Sequence, residues 1–138
     1  MSPMNHPFEI EFLDHVAIRV SDMHKSEQWY ADVLGLEVLK FEEWGDFPVF
    51  MVSGSFGVAL FPANLQDPKI PRSKNVRIDH FAFRVTPAAF RKALAFFDKK
   101  GIKHEIQDHH YFESVYLLDP DGHIVELTTP TPAIKDQN

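Results

Sequence analysis

Ile78-Asp79-His80-Phe81-Ala82-Phe83-Arg84-Val85 repeats, almost residue for residue, the earlier stretch Leu13-Asp14-His15-Val16-Ala17-Ile18-Arg19-Val20. Both copies read apolar-Asp-His-apolar-Ala-apolar-Arg-Val, with the histidines 65 residues apart at 15 and 80. Self-similarity at a fixed offset marks an internal duplication. Each copy also alternates with the period of a β-strand. Leu13, His15 and Ala17 share one face and Val16, Ile18 and Val20 the other; Ile78, His80 and Ala82 oppose Phe81, Phe83 and Val85 in the same way. Each copy therefore carries one histidine on a face of small residues.

Outward from the first copy, strand 1 is expected over about 12–20, and Ser21 or Asp22 can cap a helix in which Trp29, Tyr30, Val33 and Leu34 recur at helical spacing until Gly35. Three strands should follow at 37–42, 47–52 and 56–61, separated by Glu43-Trp44-Gly45-Asp46 and Ser53-Gly54-Ser55 as turns. The stretch from Pro62 to Asn75 holds three prolines and no period, and reads as a linker. The second copy then repeats the order. A strand at 77–85 leads to a helix opened by Thr86 and Pro87, striped by Phe90, Leu94 and Phe97, and closed by Gly101. Strands at 103–107, 113–118 and 123–128 complete it, the last two joined by the turn Asp119-Pro120-Asp121-Gly122. Residues 1–10 read as a loose arm and 129–138 as a frayed tail.

The fold class is thus α+β: a single domain over 1–138 made of two tandem βαβββ modules, about 12–62 and 77–129, joined by a linker at 63–76. A helix covers one face of each sheet, and the other faces are left to form a concave, half-barrel surface.

Composition narrows the chemistry. With 138 residues the chain can bury about two thirds of the surface it exposes when unfolded. It contains no cysteine, which excludes disulfides, thiolate metal sites and a cysteine nucleophile. A net charge of −6 argues against a nucleic-acid partner. No run approaches 18 apolar residues and the start lacks a signal pattern, so no membrane partner and a cytoplasmic location are expected. Thirteen phenylalanines are enough to fill a core or to line a pocket. Trp29, Tyr30, Phe90, Phe96 and Phe97 fall at core spacing, whereas Trp44, Phe47, Phe50 and Phe112 do not and could line a pocket.

Because His15 and His80 hold matching places, a pseudo-two-fold would bring them together on the concave surface. Glu126, in Ile124-Val125-Glu126-Leu127, is a carboxylate in an apolar run, and such a group needs a partner when buried. Two imidazoles and a carboxylate suit Fe(II), Mn(II) or Zn(II) and leave positions open. Alternatively, Glu126 pairs with Arg19 or Arg84 as a structural ion pair. The place in the first module matching Glu126 is expected at Leu60 or Phe61, so no fourth ligand is foreseen.

With Leu13-Asp14-His15, Ile78-Asp79-His80 and the block from Ser114 to Leu127, the chain resembles the vicinal oxygen chelate superfamily of glyoxalases, bleomycin-resistance proteins and extradiol dioxygenases over about 12–129. That resemblance implies the same ligands, His15, His80 and Glu126. It also implies one divalent metal, Fe(II) or Mn(II) ahead of Zn(II) or Ni(II), and a small-molecule substrate chelated through neighbouring oxygens. Similarity to the ring-cleaving members points to Tyr116 with His109 or His110 as catalytic groups, and to Ser114, Tyr116 and Phe112 as substrate-binding residues. His109 and His110 also read as plain loop residues, and His123 as a solvated side chain after a turn.

A ring-cleaving dioxygenase is the first expectation on this resemblance. The alternatives are a fosfomycin-type thiol transferase, a lyase or isomerase, and a metal-free binding protein of the bleomycin-resistance kind. The thiol transferases resemble the chain from Ser114 to Glu126, but typically place a hydroxyl residue where this chain has Ala17. A homodimer is expected, since such two-module chains commonly pair and exposed sheet edges need covering.

Overall fold

The computed structural model describes residues 6–132, and the first five and last six residues of the expected arm and tail lie outside the described residues. Among the described residues the chain forms two four-stranded sheets, ordered β1-β4-β3-β2 and β5-β8-β7-β6. The first contains β1 (His15–Val20), β2 (Glu37–Leu39), β3 (Val49–Ser53) and β4 (Phe56–Pro62). The second contains β5 (Phe81–Arg84), β6 (Glu105–Asp108), β7 (Phe112–Leu118) and β8 (Ile124–Pro130). In each, the first strand runs parallel to the last and the other neighbours are antiparallel. The βαβββ duplication is therefore present in the backbone.

The helices form where the caps place them. Helix α1 (Met23–Leu34) starts at Asp22, whose carboxylate accepts the Lys25 amide at 3.0 Å, and stops at Gly35, whose φ of 69° favours a residue without a Cβ. Helix α2 (Pro87–Lys100) starts at Thr86, whose hydroxyl accepts the Ala89 amide at 3.1 Å. Lys99 and Lys100 in its last turn complement the helix dipole.

Several strand ends differ from expectation. Strands β1 and β5 begin at His15 and Phe81, because the preceding residues have no ladder partner among the described residues. β2 stops at Leu39, and Glu42–Trp44 coil into a 3-10 turn. β8 runs on to Pro130 because Thr129 and Pro130 continue the pairing with Glu113 and Phe112, so the expected tail begins later.

Both helices pack against one side of the sheets. Ile18, Val20, Tyr30, Met51, Val58 and Leu60 form one buried cluster, and Phe90, Phe97, Val115, Leu117 and Leu127 the other. Val125 of β8 is buried with the first cluster, and Trp29, Leu34 and Phe83 pack against both. The two modules thus share a continuous core. The opposite faces, bearing His15, Ala17 and Arg19 on β1 and Ala82 and Arg84 on β5, stay open.

The Asp119-Pro120-Asp121-Gly122 turn does more than join two strands. Asp119, itself buried, accepts a 2.7 Å hydrogen bond from the buried Tyr30 hydroxyl and, through its other oxygen, the amides of Asp121 and His123. Asp121 accepts from the Ser21 amide and hydroxyl. His123, expected to be solvated, instead reaches the Arg19 carbonyl through Nε2 at 2.9 Å. Three residues of the second module thereby hold the β1–α1 corner of the first.

Burial and the neighbouring Asp119 carboxylate push the Tyr30 phenol well above its ordinary value. A proton held more tightly in the folded state stabilises the fold below the unfolded pKa of about 10, and that stability is lost as pH rises above it, by up to about 1.4 kcal/mol per pH unit. Tyr30→Phe is expected to lower stability near neutral pH by roughly 1.5–3 kcal/mol, the worth of a hydrogen bond to a charged group. It should also make the alkaline decline shallower, as read by urea melts between pH 8 and 11.

Candidate metal and substrate site

Residues paired directly across a sheet share a face, so the register identifies equivalent positions. In the second sheet Ala82, Glu126, Tyr116 and Glu105 form one row; in the first the row is Ala17, Ala59, Phe50 and Leu39. Ala59, rather than Leu60 or Phe61, is therefore the counterpart of Glu126. Leu60 lies on the buried face. The first module still offers no carboxylate at that place.

His80 and Glu126 meet on the open face of the second sheet, with Nε2 2.9 Å from Oε1. This contact takes the place of the alternative pairing of Glu126 with Arg19 or Arg84. Glu126 is buried. The His80 Nδ1 is 2.9 Å from Asp79, and the equivalent Nδ1 of His15 is 2.8 Å from Asp14. A carboxylate only accepts, so each Nδ1 donates to its aspartate, and this fixes the ring with Nε2 on the far side. That orientation by a carboxylate is how metal-binding imidazoles are commonly held. The His80 hydrogen bond holds the Asp79 carboxyl below its usual range.

Glu126 can only accept, so in this structure the His80 Nε2 donates a hydrogen bond to it, and a metal ion would take the place of that proton. An imidazole oriented by an aspartate and a neighbouring carboxylate would be suitable ligands for a divalent ion. The donor set therefore fits a divalent ion. His15 is not part of this pair: among the described residues no three such side chains of one chain gather into a metal-binding group. The sequence leaves open whether the modules close on each other within one chain or between two, and the linker permits either.

Tyr116 stands over His80, with ring centroids 5.7 Å apart, and its hydroxyl lies 3.1 Å from His109 Nε2. Burial, and then the Glu126 carboxylate, push its phenol above the ordinary value. Ser114 is buried on the same strand face, 3.0 Å from the Thr128 hydroxyl, and Phe112 shares that face by alternation. The structure does not bring His110 to this group. Its φ is 70°, its amide is bonded to Asp108, and its ring packs on Tyr111.

Beside His80 and Tyr116 opens a cleft of about 840 Å³ whose lining includes Lys74, Arg77 and Lys103. These cations carry no motif in the sequence. Lys74 and Arg77 come from the linker and the run before β5, and Lys103 from the approach to β6, so only the fold gathers them.

The profile of the Glyoxalase/Bleomycin resistance protein/Dioxygenase superfamily matches residues 12–127, and the chain belongs to that superfamily. Among curated relatives, it is 30% identical to the metallothiol transferase FosB of Staphylococcus epidermidis over 94% of this chain and 87% of that protein. It is 27% identical to the glutathione transferase FosA of Serratia marcescens over 86% of this chain and 80% of that one. A glyoxalase/dioxygenase structure from Nostoc punctiforme superposes with a TM-score of 0.75 at 22% identity, covering 95% and 99% of the two chains, a likeness of fold.

Replacing Asp79 with Asn should weaken divalent-metal affinity by about 10–100-fold through loss of the carboxylate that orients His80. Glu126→Ala should weaken it further. Competition against a fluorescent chelator measures both, and an unchanged affinity in Glu126→Ala would remove that residue from the ligand set.

Proposed function

We propose that this chain is a metal-dependent thiol transferase whose site is completed by two copies, His15 of one joining His80 and Glu126 of the other. The observation that carries this reading is the contact of His80 and Glu126 on an open face, with the matching His15 alone on its own open face, its Nε2 without a hydrogen-bond partner among the described residues. Leu13 and Ile78, each two residues before a histidine, are 74% and 82% exposed, which suits faces that a second copy covers.

The relatives' names favour thiol transfer over the ring cleavage first expected from sequence. The substrate class that fits is a small electrophile, such as an epoxide, with an anionic oxygen group like a phosphonate. Lys74, Arg77 and Lys103 supply positive charge for that group, Tyr116 supplies a hydroxyl donor, and the buried Ser114 stands behind it, bonded to Thr128. The metal, Mn(II) or Fe(II) on this reading, would polarise substrate oxygen as a Lewis acid. In the reaction a sulfur–carbon bond forms, the epoxide carbon–oxygen bond breaks, and the ring oxygen takes up the proton released by the thiol. Tyr116 orients the oxygen end of the substrate, and His109 holds the Tyr116 hydroxyl in place.

Thiol consumption on adding an epoxide-bearing phosphonate and Mn(II) is the expected result, and its absence would contradict the reading. The proximity of His109, Tyr116 and His80 keeps catechol ring cleavage as a second reading, which metal-dependent oxygen uptake with a catechol would support. His15→Ala and Glu126→Ala should each be inactive, whereas refolding the two together should restore about a quarter of the wild-type sites, those in mixed dimers. Mixtures that stay inactive would refute the shared site.

A further inference from the structure

The register that aligns the two modules also shows that their open faces are chemically unlike. Where the second sheet presents Glu126, Tyr116 and Glu105, the first presents Ala59, Phe50 and Leu39. One half of the site is polar and the other apolar.

On the apolar half a chain of aromatic rings leads directly to His15. Phe50 lies 5.1 Å from the His15 ring, Trp44 lies 5.3 Å from Phe50, and Phe41 lies 4.5 Å from Trp44. Phe41 and Trp44 nevertheless remain 44% and 38% exposed. A hydrophobic core would have taken these rings in, but the Glu42–Trp44 turn holds them up beside the histidine. Ala17 beside them is small and exposed.

We infer that the electrophilic substrate carries an aromatic ring, seated against Trp44 and Phe50, next to the oxygen end that meets the metal and the Lys74–Arg77 cleft. The inference rests on the shared site proposed above, since only there does the aromatic wall of one copy face the polar half of another. A methyl-sized substituent would leave the wall wet, whereas an aryl ring buries it and gains edge-to-face contacts. Continuity of the wall with His15 is what assigns it to substrate rather than to a protein partner.

The test is calorimetric binding of two unreactive probes, phenylphosphonate and methylphosphonate, to the Mn(II)-loaded protein. Phenylphosphonate should bind at least about tenfold more tightly, and in Trp44→Ala the ratio of the two affinities should fall toward one. Phe41→Ala, checked like the first variant for native circular dichroism, should reduce the ratio in the same direction. Equal affinities in the wild type, or a preference that survives both variants, would overturn the inference. So would protection of Trp44 from iodide quenching in the ligand-free oligomer, which would give the wall to the second copy. Failure of both probes to bind would mark failure of the metal site and of the proposed function with it. A phenyl preference without thiol transfer to either kind of epoxide would uphold the ring pocket and reject only the reaction.

Discussion

The Asp119 carboxylate is the point on which the arrangement turns. It is buried, it accepts from a tyrosine hydroxyl of the other module and from two amides of its own turn, and the neighbouring Asp121 and His123 add bonds to the same corner. Hydrogen bonds to a buried charge are among the stronger ones and costly to leave unmade. They fix the turn before β8 against the end of β1. With that corner fixed and Val125 buried in the first module's cluster, the helix-covered faces must pack together. The histidine-bearing faces stay open.

Among the described residues His80 and Glu126 meet, and no third metal-ligating side chain joins them. The second module is the better prepared half: an Asp-oriented histidine, a buried glutamate in contact with it, a tyrosine above and cations at the edge of the cleft. The first module contributes a histidine oriented in the same way and a wall of aromatic rings. Duplication supplied two similar scaffolds, and substitution at register-equivalent positions gave them different roles. Glu126 against Ala59, and Tyr116 against Phe50, are the clearest cases.

Much of this was legible in the sequence, for identifiable reasons. The repeated Asp-His stretches disclosed the duplication, period-2 alternation told which side of each strand is open, and Asp22, Gly35, Thr86 and Gly101 marked the helix ends. Strand limits were less legible, since Phe12–Leu13 and Arg77–Asp79 alternate like strands yet find no ladder partner among the described residues. The counterpart of Glu126 was misplaced by one or two residues because the modules differ in loop length, and only the ladder sets that register. His123 looked like a solvated turn residue, for its partner, the Arg19 carbonyl, lies over a hundred positions away. Long-range relations of this kind, including the gathering of Lys74, Arg77 and Lys103, depend on how the modules pack and leave no local pattern.

Native mass spectrometry of the protein titrated with Mn(II) tells a site shared by two copies from one closed within a chain. A shared site gives two metal ions on a dimer and none retained by any monomer, with His15→Ala dimers losing both. One ion bound firmly by each monomer, or full occupancy in His15→Ala, would contradict it.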